Sequence, residues 1–151
     1  MTPPHSEDHD RSPEISATLS DLIEIGRDLW EAHLVSSHGG NLSARAGNGI
    51  FITRHGAMMH RLDHEQFIRV DQDGHSSESW HVHEPSLDML IHLAIYRAVP
   101  EAQVVVHAHP IYAVARSLEW GAITPMNASG AILGRVPVLA PEEHEIPRAV
   151  A

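Results

Sequence analysis

The sequence contains neither cysteine nor lysine. Without thiols there is no disulfide, no thiolate nucleophile and no cysteine-ligated zinc, which fits a reducing, cytoplasmic setting. Without lysine there is no Schiff base, no lysine-anchored pyridoxal phosphate and no phosphate-binding lysine of a P-loop. All 10 formal positive side chains are arginines, set against 20 Asp plus Glu for a net charge of −10. That balance argues against nucleic acid or an anionic membrane as a partner. No apolar run approaches the roughly 20 residues needed to span a bilayer. The first 14 residues lack the basic start and apolar stretch of a signal peptide. Pro3, Pro4 and Pro13 stand there among His, Asp and Glu, so residues 1–14 are expected to form a disordered tail.

Histidine, by contrast, is abundant, with 14 in 151 residues, and hydrophobic residues make up 42%. That is enough for the core of one domain, expected over residues 15–151. Carboxylates, imidazoles and hydroxyls are then the groups left to carry chemistry.

Apolar residues recur at helical spacing from Leu19 to Leu34, with Thr18 or Ser20 available as a cap. Leu42 to Arg45 and Ile50 to Thr53 flank the turn Gly47-Asn48-Gly49 and predict a hairpin. Phe67 to Asp71 reads as a further strand, closed by Asp73-Gly74. Pro85 opens a helix predicted over Ser86 to Ala98, ended by Pro100. The Val-rich Gln103 to His107 predicts a buried strand, Pro110 starts a helix reaching about Trp120, and Val136 to Leu139 predicts one more strand. Helices alternating with short strands place the chain in the α/β class.

The chemistry concentrates around His107-Ala108-His109. Side chains two apart on a strand share a face, about 7 Å apart, so both imidazoles can reach one ion at about 2.0 to 2.1 Å. Asp88 and His92, four apart on the preceding helix, add a carboxylate and a third imidazole on one side. His81 and His83, beside Glu84 in a Ser-rich stretch, form a rival pair that reads mainly as a solvated loop. Gly39-Gly40-Asn41 reads as a turn that could also cradle an anion with backbone N–H groups.

In their order and spacing, five segments resemble the class II aldolase and adducin family. They are Gly40-Asn41-Leu42-Ser43, Ile52-Thr53-Arg54-His55-Gly56, Pro85-Ser86-Leu87-Asp88, His92-Leu93-Ala94-Ile95-Tyr96 and Val105-Val106-His107-Ala108-His109-Pro110. The resemblance runs from about Leu19 to the end. It implies a three-layer α/β/α sandwich with a mostly antiparallel central sheet, assembled as a homotetramer with active sites between subunits. It also implies a divalent metal, typically zinc, held by His107, His109 and a later histidine. Asp88 is implied as the acid/base at the metal, and Gly40, Asn41, His55, Gly56 and Ser86 as the residues that bind a sugar or sugar-phosphate substrate. His92 falls outside the implied ligand set and is expected to support the site.

The expected activity is that of a carbon–carbon lyase, cleaving a ketose phosphate or related hydroxy-carbonyl compound through a metal-stabilised enediolate. Epimerase, dehydratase and decarboxylase reactions, or a non-catalytic adducin-like metal-binding module, are the alternatives. The chain departs from the family at several places. Family aldolases carry Glu at position 88, whereas the epimerase branch has Asp. Hydroxyl side chains are usual where His55 and Leu87 stand, and a tyrosine acid/base is expected near Met126 to Ala128, where none occurs. The third metal histidine should lie beyond Ala151, so the domain is expected to lack the family's C-terminal portion. Whether His144 takes that ligand's place is left open.

Overall fold

The computed structural model describes residues 12–76, 84–119, 121–125 and 127–139. His81, His83 and His144 lie outside these residues. The first helix, α1 (Pro13–Glu31), starts earlier than its apolar periodicity suggests. Pro13 fits the first helical turn because its missing N–H would be unpaired there in any case. Ser12 caps it, its hydroxyl accepting the Ile15 N–H at 3.3 Å. Pro13 and Glu14 therefore belong to a helix and not to a tail. Thr18 and Ser20, expected as caps, instead bond the carbonyls of Glu14 and Ser16 within the helix. Ser12→Ala should lower stability by about 1 kcal/mol, measured as a shift in the urea midpoint at constant slope.

Ile15, Leu19 and Leu22 form the inward stripe of α1. They pack on one face of a sheet made by β1 (Asn41–Ala46), β2 (Gly49–Thr53), β3 (Phe67–Val70) and β4 (Val104–His107). The strand order is β3-β2-β1-β4, and every pairing is antiparallel. Period-2 alternation sends Leu42, Ala44 and Ala46 toward α1. It leaves Asn41 and Ser43 facing the other way, toward α2 (Met89–Ala98). On that second face Ile50, Ile52, Ile68, Val70 and Val105 pack against Leu93 and Tyr96 of α2. Helix, sheet and helix give the three layers anticipated from the sequence, with two cores separated by the sheet.

Three elements differ from expectation. The α2 helix begins at Met89, because Ser86 to Asp88 form a turn in which the Met89 N–H bonds the Ser86 carbonyl at 3.0 Å. The β4 strand is not buried on both sides: Val105 is 7% exposed, but Val104 and Val106 are 43% and 44% exposed on the opposite face. Of Val136 to Leu139, only Val136–Pro137 form a strand, β6, paired with β5 (Ala122–Ile123). Between them lies a short helix, α4 (Ala128–Leu133). The α3 helix (Ile111–Ser117) follows β4 and buries none of its residues. No helix among the described residues is long and apolar enough to cross a membrane.

Candidate metal centre

In an antiparallel sheet the start of β1 and the ends of β2 and β4 share one edge, and the turns leaving that edge gather the residues singled out by sequence. Asn41 pairs with His107 across β1 and β4. The end of β2 continues into an isolated bridge between Arg54 and Pro85, and the His55 N–H bonds the Glu84 carbonyl at 2.8 Å. This sets His55 and Gly56 against the turn that carries Ser86 and Asp88. Gly40 adopts φ +88°, and a Cβ there would lie 2.8 Å from the His107 carbonyl and 2.6 Å from Val35 Cγ1. Only glycine lets the chain approach β4 so closely in that conformation. Ser86 is buried, and its hydroxyl accepts the Asp88 N–H at 3.3 Å. His55 and Gly56 are exposed at the rim.

Proximity at the centre is close. The Nε2 atoms of His107 and His109 stand 2.9 Å apart, with their rings tilted at 49°. The His109 backbone is pinned to the loop before β1 through its N–H to the Leu34 carbonyl, 2.8 Å. The Asp88 carboxylate meets this pair from behind. Its Oδ2 lies 3.1 Å from His107 Nδ1, the nitrogen opposite the one that faces His109. That contact is short enough for an ion pair but lies off the hydrogen-bond axis, so the buried Nδ1 has no well-directed partner among the described residues. Asp88 Oδ2 also accepts the Asn41 amide at 2.7 Å. The three groups thus stand in line as carboxylate, imidazole and imidazole. Asp88 does not share the Nε2 edge on which the two histidines converge.

Two imidazole nitrogens 2.9 Å apart can both contact one ion at about 2.0 to 2.1 Å. A carboxylate at Nδ1 favours the tautomer whose Nε2 lone pair is free for a metal. Two such nitrogens, on His107 and His109, are placed where a divalent cation could be held. Burial lowers the pKa of His107, with the Asp88 charge opposing it and His109 reinforcing it. A depressed pKa keeps the ring neutral, as a metal ligand must be.

A second group of donor atoms lies at the opposite end of the sheet, where β3 runs out. Asp71, Asp73 and His75 hold donor atoms within 4.8 Å of one another, all exposed. The geometry has a local explanation: Asp71 Oδ1 accepts the N–H groups of Asp73 and His75 at 2.8 and 2.9 Å, closing the turn at Gly74. These backbone bonds, that from His75 first, lower the Asp71 pKa.

His92, Ser43 and Tyr96 form a buried polar cluster beneath the centre that motif reading of single residues does not isolate. Ser43 Oγ lies 2.7 Å from His92 Nδ1 and 2.9 Å from the Tyr96 hydroxyl, and His92 Nε2 lies 2.5 Å from Asn41 Oδ1. The signal was present as Asn41-x-Ser43, on one strand face, and His92-x-x-x-Tyr96, on one helix face. Burial pulls the His92 pKa down to about 4, with His107 reinforcing and Asp88 opposing. In the unfolded chain this ring takes its proton near 6.5, so between the two values the unfolded state binds more protons. The contribution is complete above pH 6.5, declines on acidification by at most about 1.4 kcal/mol per pH unit, and is gone below the folded pKa. Urea unfolding of the native chain and His92→Gln at stepped pH should give a stability difference that is flat above 6.5 and shrinks toward 4. A pH-independent difference would refute this.

Comparison with known proteins identifies the family. The model of the class II aldolase and adducin N-terminal domain matches residues 20–151. A methylthioribulose-1-phosphate dehydratase of Methylococcus capsulatus is 39% identical over 97 residues, covering 64% of this chain and 46% of the relative. An L-fuculose phosphate aldolase of Methanococcus vannielii is 32% identical over 100 residues, covering 66% of this chain and 53% of that protein. The chain thus spans about half the length of these curated relatives. The crystal structure of L-fuculose-1-phosphate aldolase from Thermus thermophilus superposes with a TM-score of 0.77 at 34% identity, covering 88% of this chain and 68% of that one.

Proposed function

Since the chain belongs to the class II aldolase and adducin family, we propose that it provides the metal-dependent centre of an aldehyde-lyase acting on a ketose phosphate or related hydroxy-carbonyl compound. The observation that carries this reading is the 2.9 Å approach of His107 and His109 Nε2 beside the Asp88 carboxylate. His107 and His109 would hold the divalent ion, zinc being the natural match for imidazole donors without thiolates. When bound, such an ion acts as a Lewis acid on substrate carbonyl and hydroxyl oxygens.

The chain's own groups would do the rest. Asn41 and His107 both engage Asp88 Oδ2, so Oδ1 is left to take and return a proton at the substrate carbon or oxygen. Asp88 would complete the metal environment through Nδ1 of His107. Gly40, Asn41, His55, Gly56 and Ser86 ring the same sheet edge and would orient the substrate's anionic or hydroxyl end. A homotetramer is part of the proposal. The apolar side chains exposed along β4 and α3, Val104, Val106, Ile111, Tyr112 and Leu118, support self-association.

Dehydration is the second reading, favoured by the 39% identity to a methylthioribulose-1-phosphate dehydratase. Mass spectrometry of zinc-loaded protein with a panel of ketose 1-phosphates separates the two. Cleavage yields two carbonyl fragments, whereas dehydration yields one product lighter by one water. Turnover of none of these, in protein that binds zinc stoichiometrically, would reject both.

A further inference from the structure

We propose that His92 is a positioning residue: a directed run of buried hydrogen bonds, Tyr96 to Ser43 to His92 to Asn41, fixes which end of the Asn41 amide faces Asp88. The inference rests on Asp88 being the proton-transferring group of the proposed lyase, and it follows from donor and acceptor counting.

An ionised carboxylate only accepts, so the Asn41 group 2.7 Å from Asp88 Oδ2 must be the NH2 end. The amide oxygen then faces His92 Nε2, which must carry the proton and donate. A neutral imidazole has one N–H, so Nδ1 is the acceptor and Ser43 must donate to it. With its proton committed, the Ser43 oxygen receives the O–H of Tyr96. Reversing any one link sets two donors or two acceptors face to face in a site where His92 and Ser43 are 0% exposed. Such a mismatch leaves a buried polar group unpaired. The origin of the chain is itself anchored. The Arg45 guanidinium sits 4.7 Å over the Tyr96 ring and bonds the Tyr96 carbonyl at 3.0 Å. A flipped Asn41 would turn its oxygen on the Asp88 carboxylate and push it off His107.

The test uses nitrogen-15 NMR of the metal-free protein, so it needs neither ion nor substrate. Expected are one His92 tautomer protonated at Nε2 and one Asn41 side-chain amide proton protected from exchange. His92→Gln, whose amide can donate to Asn41, should keep that protection. His92→Leu, of similar bulk but without a donor, should speed exchange about tenfold or more. Should the leucine variant fail to fold, Ser43→Ala serves instead: without its donor, His92 should populate both tautomers and the Asn41 proton should lose protection to a similar degree. A His92 ring protonated at Nδ1 or mixed in the native protein, or Asn41 protection unchanged in both His92→Leu and Ser43→Ala, overturns the proposal. Absent lyase activity would instead sink the function proposed above and leave these spectra unaltered.

Discussion

His107→Ala should lower zinc affinity by more than about 100-fold, since losing merely an outer partner of a metal ligand costs about 10- to 100-fold. The imidazole removed is one of the two whose Nε2 atoms approach to 2.9 Å, and it is also the group through which Asp88 touches the pair. One substitution therefore takes away a ligand and disconnects the carboxylate. The fold should survive, because His107 is the last residue of an edge strand and belongs to neither apolar core. Competition with a chromogenic chelator measures the affinity, and circular dichroism checks the fold. Stoichiometric zinc retained at native affinity would exclude this centre and direct attention to Asp71, Asp73 and His75.

Asp88→Asn should reduce kcat by about 10² to 10⁴ while KM changes little, the range expected when a positioned acid/base is removed. Asparagine keeps the shape and can still accept the Asn41 N–H through its oxygen. What it loses is the negative charge beside His107 Nδ1 and the basic oxygen Oδ1 that the two neighbours leave unengaged. A rise in KM with kcat preserved would assign Asp88 to substrate binding and not to proton transfer.

Much of this arrangement was legible in the residues because it depends on short-range rules. The β1–β2 hairpin followed from alternation around Gly47-Asn48-Gly49, and the register Ala46 to Gly49 bears this out. The histidine pair was legible as His-x-His, but β4 ends at His107, so the position of His109 comes from its N–H bond to the Leu34 carbonyl and not from strand alternation. The features that escaped depend on what lies across space. Pro13 looked like tail composition, but the same residue is the favoured opening of a helix once Ser12 caps it. The valines of β4 looked like a strand covered on both faces, yet only Val105 packs into a core, and Val104 and Val106 stand exposed on the other face. Helical phase alone placed Asp88 on the stripe with His92. In fact Asp88 precedes the helix, and its direction is set by a turn that donates its N–H to Ser86. Ser43 and Tyr96 showed no chemical motif of their own, because their role exists only when β1 and α2 bring the Ser43 hydroxyl between the His92 imidazole and the Tyr96 hydroxyl.

The bare backbone at position 40 has a consequence for how this centre tolerates change. With φ at +88° and no space toward the His107 carbonyl, it acts as a fixed spacer between the strand that carries Asn41 and the strand that carries His107. An added methyl group would wedge these strands apart at the point where fractions of an ångström decide whether Asn41, Asp88 and His107 still meet. Tolerance of substitution should therefore be low at a residue that contributes no side chain at all.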